Sequence, residues 1–169
     1  RIMVAEVMGR GAGWLTLHGG IAGAADVILI PEIPYDINKV IEKIKNDIDN
    51  GKDFTIIAAA EGAQPIGGGQ FVSDIVETSP DAIRLGGIAK AVAKQIEAAL
   101  EDYEIEARAS VLGHIQRGGS PTCRDRVYAS IMGAKAVDLI LEGKLNRVVG
   151  YKHGEYIDFD IKWFFRVYF

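Results

Sequence analysis

The sequence lacks several features that would assign a function at once. Its single cysteine, Cys123, excludes an internal disulfide and favours a reducing, cytoplasmic setting. No apolar run approaches the ~20 residues that a membrane-spanning helix needs, and no signal peptide is evident, so we expect no membrane partner. The patterns Gly-x-x-x-x-Gly-Lys-[Ser/Thr] and Gly-x-Gly-x-x-Gly are both missing, so the 169 residues carry no nucleotide loop of either kind.

Basic residues are also fewer than acidic ones. Lysine and arginine total 19 against 23 aspartates and glutamates, which gives a formal net charge of −4. This balance argues against a nucleic-acid partner, because such surfaces need a broad excess of basic residues. The three histidines are not at metal-ligand spacing with the cysteine, so no metal ligand is assigned. Any cationic site must therefore be local.

Short apolar runs alternate with amphipathic helical patterns along the chain. The runs are rich in β-branched residues and predict buried parallel strands at Ile2–Val7, Val27–Ile30, Phe54–Ala60 and Ala109–Leu112. Helices are predicted at Trp14–Ala25, Lys39–Asp49, Gly87–Glu101 and Arg124–Glu142. This order predicts an α/β fold, doubly wound, with a mainly parallel sheet and helices on both faces.

Charged residues stand beside glycines where three of these strands end. The first run continues into EVMGRGAG, the third into AEGA and the fourth into GHIQRGG. Because the carboxyl ends of parallel strands share one edge of a sheet, ligands collect there. Arg10, Glu61, His114 and Arg117 are therefore candidate ligand-binding residues.

Each candidate also has a plain structural interpretation. His114 can be a core histidine, Arg10 a surface arginine on a turn, and Glu61 a cap on a loop. A guanidinium, however, offers a fixed fork of donors that suits phosphate, and neighbouring glycines let backbone amides approach. A carboxylate at the third exit can accept hydrogen bonds from sugar hydroxyls. The residues alone leave both interpretations open.

Three longer stretches resemble one known family. They are VAEVMGRGAGWLTLHGGIAGAADVILIPE, AAAEGA and SVLGHIQRGGSPTCRDRVYASIMGAKAVDLILEG. Together they look like the C-terminal half of 6-phosphofructokinase, and the resemblance extends from Arg1 to about Gly150. The most specific motifs are EVMGR and GHIQRGGSP.

The resemblance implies a reaction and roles for individual residues. The family transfers a phosphoryl group, with Mg²⁺, from ATP or diphosphate to the 1-hydroxyl of fructose 6-phosphate, giving fructose 1,6-bisphosphate in glycolysis. Arg10 would approach the transferred group, and Glu61 would bind sugar hydroxyls. His114 and Arg117 would bind the 6-phosphate. The remaining residues that the resemblance implies are Met8 and Gly9 at the sugar, and Arg1 and Arg108, which would reach the phosphate of a neighbouring subunit in a dimer or tetramer.

The resemblance also implies that this chain supplies only part of the family's active site. Residues 1–150 would form the sugar-phosphate-binding portion, and residues 151–169 a C-terminal strand or tail of uncertain structure. The phosphoryl-donor loop and the catalytic aspartate of the family belong to an N-terminal half outside this chain, so we expect the chain alone to be inactive. Asp26 within GAADV and the segment Gly51-Lys52-Asp53 match the effector site of the allosteric bacterial ATP enzymes with two changes, which puts effector regulation in doubt.

Two other classes of function compete with the enzyme. One is a non-catalytic sugar-phosphate-binding or regulatory module of the same fold. The other is an unrelated structural protein, in which the charges at the strand ends would be a coincidence. A donor loop and a catalytic aspartate in sequence preceding Arg1 would favour the enzyme, and their loss would favour the module.

Overall fold

The computed structural model describes residues 1–75, 77–78 and 82–163, and it divides the chain into two compact units, Arg1–Arg117 and Gly118–Phe169. The expected boundary at position 150 falls inside a strand of the second unit. The first unit contains β1 (Ile2–Val7), α1 (Trp14–Ala22), β2 (Val27–Leu29), α2 (Ile37–Asp49), β3 (Thr55–Ala60), β4 (Val72–Ile75), β5 (Ile83–Leu85), α3 (Ile88–Ala99) and β6 (Ala107–Val111). The second contains α4 (Cys123–Leu141), β7 (Arg147–Lys152) and β8 (Glu155–Asp160).

The main sheet of the first unit has the order β2-β3-β1-β6, and all of its neighbouring strands run parallel. Strand β1 is therefore flanked by β3 and β6. Residue Val7 pairs with Ala60, and Glu6 pairs with Val111, so the three strands end nearly level. This register brings three of the predicted strand exits side by side.

Helices cover both faces of this sheet, as the sequence predicts. On one face, the side chains of Val4 and Ile57 pack in a fully buried core with α3 residues such as Val92. On the other face, α1 lies so close to the sheet that a Cβ on Gly20 would be 2.8 Å from the side chain of Ile28. The small residues of α1 permit this approach. The predicted α/β architecture is confirmed.

The ends of the predicted elements shift by a few residues. Strand β6 starts at Ala107 rather than Ala109, so Arg108 lies inside the strand instead of before it. Helix α2 begins directly after Asp36, whose carboxylate accepts a 2.9 Å hydrogen bond from the Asn38 N–H. This cap satisfies one of the free N–H groups of the first turn.

Two antiparallel hairpins were not predicted. Strands β4 and β5 pair within the first unit, and β7 and β8 pair within the second. The β7–β8 turn has positive φ at both His153 and Gly154, as a two-residue type I′ hairpin turn requires. The sequence KHGE between alternating apolar residues was a usable hairpin signal.

In the second unit, α4 packs against the β7–β8 hairpin. The ring of Tyr128 lies 4.6 Å from that of Tyr151 and 5.9 Å from that of Tyr156, measured between centroids. Helix α4 begins with a capping box, in which Thr122 and Asp125 satisfy each other's backbone N–H groups. Of the C-terminal tail, residues 164–169 lie outside the described residues.

Among the helices that the structure describes, none is long and apolar enough to cross a membrane.

Candidate functional site

The candidate site forms at the edge of the sheet where β1, β3 and β6 end. Met8, Gly9 and Arg10 follow β1, and Glu61 follows β3. After β6 the chain enters a short 3-10 helix, Gly113–Arg117, which carries His114 and Arg117. The parallel register therefore brings together the three segments that the sequence singled out.

Backbone hydrogen bonds join the segment that follows β1 to the segment that follows β3. The Glu61 N–H donates to the Val7 carbonyl at 2.9 Å, and the Gly62 N–H donates to the Gly9 carbonyl at 3.0 Å. A Cβ on Gly62 would lie 1.9 Å from the carbonyl oxygen of Arg10, which is an impossible contact. Glycine at position 62 therefore allows the segment carrying Arg10 to lie against the exit of β3.

The three segments, together with the β4–β5 hairpin, enclose a pocket of about 350 Å³. Five of the six residues predicted to contact substrate from this chain line the pocket. The sixth, Gly9, donates its N–H to the Glu61 carboxylate at 3.4 Å. The described lining residues are Met8, Arg10, Glu61, Ile83, Arg84, Leu85, His114 and Arg117.

The hairpin contributes Arg84, a lining residue that sequence reasoning missed. Arg10 donates from Nη2 to the carbonyl of Ile83, and Gln70 donates to the carbonyl of Arg10 at 3.3 Å. These bonds hold the hairpin beside the Arg10 segment. One signal in the sequence pointed to Arg84: it lies two positions before the glycine pair Gly86-Gly87. The hairpin itself was hard to predict because both strands are short and β4 is exposed along its whole length.

The charge of the described lining residues is opposite in sign to the net charge of the chain. Three guanidinium groups and one imidazole line it, and Glu61 is the only carboxylate among its described lining residues. A concave site with this excess of donors and positive charge suits a ligand that carries phosphoryl or other anionic groups.

The second glutamate of this region, Glu6, has a structural role. Its side chain is only 5% exposed and accepts hydrogen bonds from the N–H groups of Gly87 at 3.0 Å and Ala89 at 3.1 Å. The carboxylate thus satisfies free N–H groups at the start of α3, where the helix dipole also favours negative charge. Glu61 is the glutamate that reaches the pocket.

The structure does not bring Arg1 and Arg108 to this pocket. Arg1 precedes β1, and Arg108 is level with Met3 near the opposite edge of the sheet. Arg108 donates to both carboxylate oxygens of Glu106 at 2.9 Å, and these bonds lower the pKa of Glu106. Since β1 rises ~3.3 Å per residue, the two edges are separated by about 20 Å. Neither arginine can reach the pocket of its own chain.

Asp26 and Lys52 also lie at this opposite edge, where they form an ion pair. The Asp26 carboxylate further accepts a 2.9 Å hydrogen bond from the Ile56 N–H. Burial raises the pKa of Asp26, but the ammonium of Lys52 and the Ile56 N–H outweigh this effect and leave it below its ordinary value.

The pocket residues do not fit a resident Mg²⁺. Magnesium prefers several oxygen ligands, whereas the described lining offers one carboxylate among cationic groups. No group of three or more His, Cys, Asp or Glu side chains able to hold a metal occurs among the described residues.

Comparison with known proteins identifies the family. The model of the family described as phosphofructokinase matches residues 1–140 of the chain. The chain belongs to the phosphofructokinase family. Among curated relatives of the chain, ATP-dependent 6-phosphofructokinase 2 of Clostridium perfringens is 55% identical over 152 residues, covering 90% of the chain and 41% of the relative. Pyrophosphate–fructose 6-phosphate 1-phosphotransferase of Dictyoglomus thermophilum is 43% identical over 166 residues, covering 95% and 46%.

Solved structures agree with this assignment. The phosphofructokinase of Pichia pastoris is 29% identical with a TM-score of 0.69, over 96% of this chain and 17% of that one. The pyrophosphate-dependent phosphofructokinase of Marinobacter aquaeolei is 27% identical with a TM-score of 0.67, over 94% and 38%. The chain therefore spans less than half the length of each of these four relatives.

Proposed function

We propose that the pocket binds fructose 6-phosphate and that this chain supplies the sugar-phosphate site of a 6-phosphofructokinase. The convergence of Arg10, Glu61, His114 and Arg117 on one pocket is the observation that carries the proposal. The phosphofructokinase names of the relatives support the reaction class.

The proposed reaction transfers the terminal phosphoryl group of ATP or diphosphate to the 1-hydroxyl of the sugar. The oxygen–phosphorus bond to the leaving group breaks as the bond to the sugar oxygen forms. The hydroxyl proton goes to a carboxylate that we assign to the donor half of the enzyme. Such transfers depend on positioning and on stabilising charge, and these are the contributions of this chain.

Each pocket residue has a part in this scheme. His114 and Arg117 bind the 6-phosphate, while Glu61 accepts from sugar hydroxyls. Arg10 is the catalytic residue and stabilises charge on the transferred phosphoryl group.

Four further parts complete the proposal. Arg84 is added as a further binding residue for a phosphoryl group. Met8 and Gly9 present backbone to the sugar. Arg1 and Arg108 serve the pocket of a neighbouring subunit in a homodimer or homotetramer. Cytoplasmic localisation fits the single cysteine.

Titration of the 169-residue chain with fructose 6-phosphate, followed by NMR, tests the proposal. We expect shifts at the backbone amides of Met8, Glu61 and His114, and much weaker binding of fructose, which lacks the phosphate. Shifts confined to the opposite edge of the sheet, or equal binding of the two sugars, would contradict the assignment.

A coupled assay then separates the enzyme from the binding module. We expect no turnover by this chain with either donor, and turnover with ATP or diphosphate when the chain is joined to the donor half of its relatives. Binding without turnover in the joined protein would favour the non-catalytic module.

A further inference from the structure

Gln116 joins the two segments of the site that bear the proposed substrate contacts. Its Oε1 accepts a hydrogen bond from the Met8 N–H at 3.2 Å, and its Nε2 donates to the Gly113 carbonyl at 3.0 Å. One end of the amide thus binds the segment that follows β1, while the other binds the first residue of the 3-10 helix.

The side chain of Gln116 lies outside the candidate pocket. It is partly buried and lines a separate cavity of about 400 Å³ beside α1, together with residues of β1 such as Ala5 and Val7. Its neighbour Ile115 is 74% exposed. Gln116 is therefore placed to affect a ligand through the backbone rather than by contact.

The two hydrogen bonds have separate consequences. The bond to Gly113 closes the turn that carries His114 and Arg117, and the bond to Met8 fixes the distance of that turn from the Arg10 segment. Without Gln116, the backbone bond from the Leu112 N–H to the Glu6 carbonyl, at 3.1 Å, still ties β6 to β1 just before the turn. A shift of about 1 Å in a reacting group can cost about a hundredfold in rate.

We propose that Gln116 is a positioning residue that sets the spacing between the 6-phosphate contacts and the contacts to the rest of the sugar. The inference rests on the proposed function. It predicts that loss of Gln116 lowers the affinity for a ligand that contacts both segments more than the affinity for a ligand that contacts only the turn.

Fructose 6-phosphate and inorganic phosphate are suitable probes, because the first spans both segments and the second needs only the turn. The variants are Gln116→Met, which has similar length and no amide, and Gln116→Glu, which retains an oxygen acceptor for Met8. Ile115→Ala is the matched control on the same turn. Affinities are measured by calorimetry on the 169-residue chain, and exchange of the Met8 amide is followed by NMR.

For Gln116→Met we expect the affinity for fructose 6-phosphate to fall about three- to tenfold, and that for inorganic phosphate by less than about twofold. The Met8 amide should exchange faster. Gln116→Glu should lower both affinities through its charge but keep the ratio of the two, and the Met8 protection, near wild type. Ile115→Ala should change neither.

An unchanged affinity ratio and unchanged Met8 protection in Gln116→Met would overturn the inference, as would an equal fall for both probes. If that variant does not fold, Gln116→Asn replaces it, because the shorter amide cannot make both bonds. Absence of fructose 6-phosphate binding by the wild-type chain would instead overturn the proposed function, and this inference with it.

Discussion

Charged side chains meet different partners at the two edges of the parallel sheet. At the edge where the strands begin, Asp26 pairs with Lys52, and Glu106 pairs with Arg108. At the edge where the strands end, three guanidinium groups line one pocket with a single carboxylate, Glu61, among its described lining residues. Ion pairs join opposite charges at the first edge, whereas cationic groups outnumber carboxylates among the described lining residues of the pocket at the second.

This difference separates charges that stabilise the fold from charges that are arranged for a ligand. Concentrating like charges costs free energy in the folded chain, so the excess is understandable where an anionic ligand offsets it. The glycines and short turns at the carboxyl-end edge bring backbone and side-chain donors toward the same space. The four predictions that follow test whether the two edges differ in this way.

The largest effect is expected from Arg10→Ala in the enzyme formed by this chain and the donor half of its relatives. Because charge on the transferred group is greatest in the transition state, kcat should fall by about a hundredfold or more, with a smaller change in KM. Steady-state kinetics measure this split. A change confined to KM would show that Arg10 binds the ground state and the transition state equally well.

Arg117→Ala should weaken binding of fructose 6-phosphate by about ten- to a hundredfold, since hydrogen bonds to charged groups contribute about 1.5–3 kcal/mol each. Calorimetry on the 169-residue chain measures the effect. Lys94→Ala, which removes an exposed positive charge from α3, is the control and should leave affinity nearly unchanged. Equal losses in both variants would mean that net charge, rather than the pocket, binds the phosphate.

A mixing experiment tests whether the opposite edge serves a neighbouring subunit. Arg108→Ala and His114→Ala chains, each in the joined enzyme, should both be nearly inactive alone. In randomly mixed dimers, each heterodimer regains one complete site, so activity should recover to about a quarter of wild type. No recovery in verified heterodimers would show that Arg108 contributes nothing across the interface and belongs only to its pair with Glu106.

The smallest effect concerns the Asp26–Lys52 pair. The side chain of Asp26 is 12% exposed and its pKa is lowered on folding. A lowered folded-state pKa means that the pair stabilises the protein above the unfolded-state pKa and loses this contribution as the pH falls through the folded-state value. Asp26→Asn should therefore cost about 1–2 kcal/mol in the free energy of unfolding at pH 7.

Urea unfolding at several pH values measures this contribution. The difference between wild type and Asp26→Asn should shrink as the pH drops below about 4. Asp49→Asn, an exposed change on α2, controls for net charge and should show no such trend. A difference that is independent of pH would mean that the ion pair does not carry the effect.

Much of the sheet could be predicted because its strands are short apolar runs separated by amphipathic helices. The same pattern placed Arg10, Glu61 and the GHIQR turn at strand exits, and the parallel register then made them neighbours. The β4–β5 hairpin had no comparable signal. The sequence Val72–Ile75 is exposed along its whole length, so no alternation of buried and exposed residues marked it as a strand.

The two glutamates near glycine show where local pattern stops being informative. Glu6 and Glu61 both lie near the ends of strands, yet the Glu6 carboxylate accepts hydrogen bonds from the first N–H groups of α3 and does not reach the pocket. Only the packing of α3 against β1 distinguishes them. The same holds for Gln116, whose bond to Met8 spans 108 positions of the chain.

The sequence by itself determined the alternation of the four parallel strands with helices, the parallel sheet and the edge at which the candidate residues would emerge. These follow from hydrophobic periodicity and glycine-bounded turns, which act over a few neighbouring residues. The tertiary structure decided which charges pair and which line a pocket. It brought Asp26 to Lys52, Arg10 to the β4–β5 hairpin and Arg84 to the pocket. Such contacts depend on strand register and helix packing between distant segments, and local patterns do not encode them.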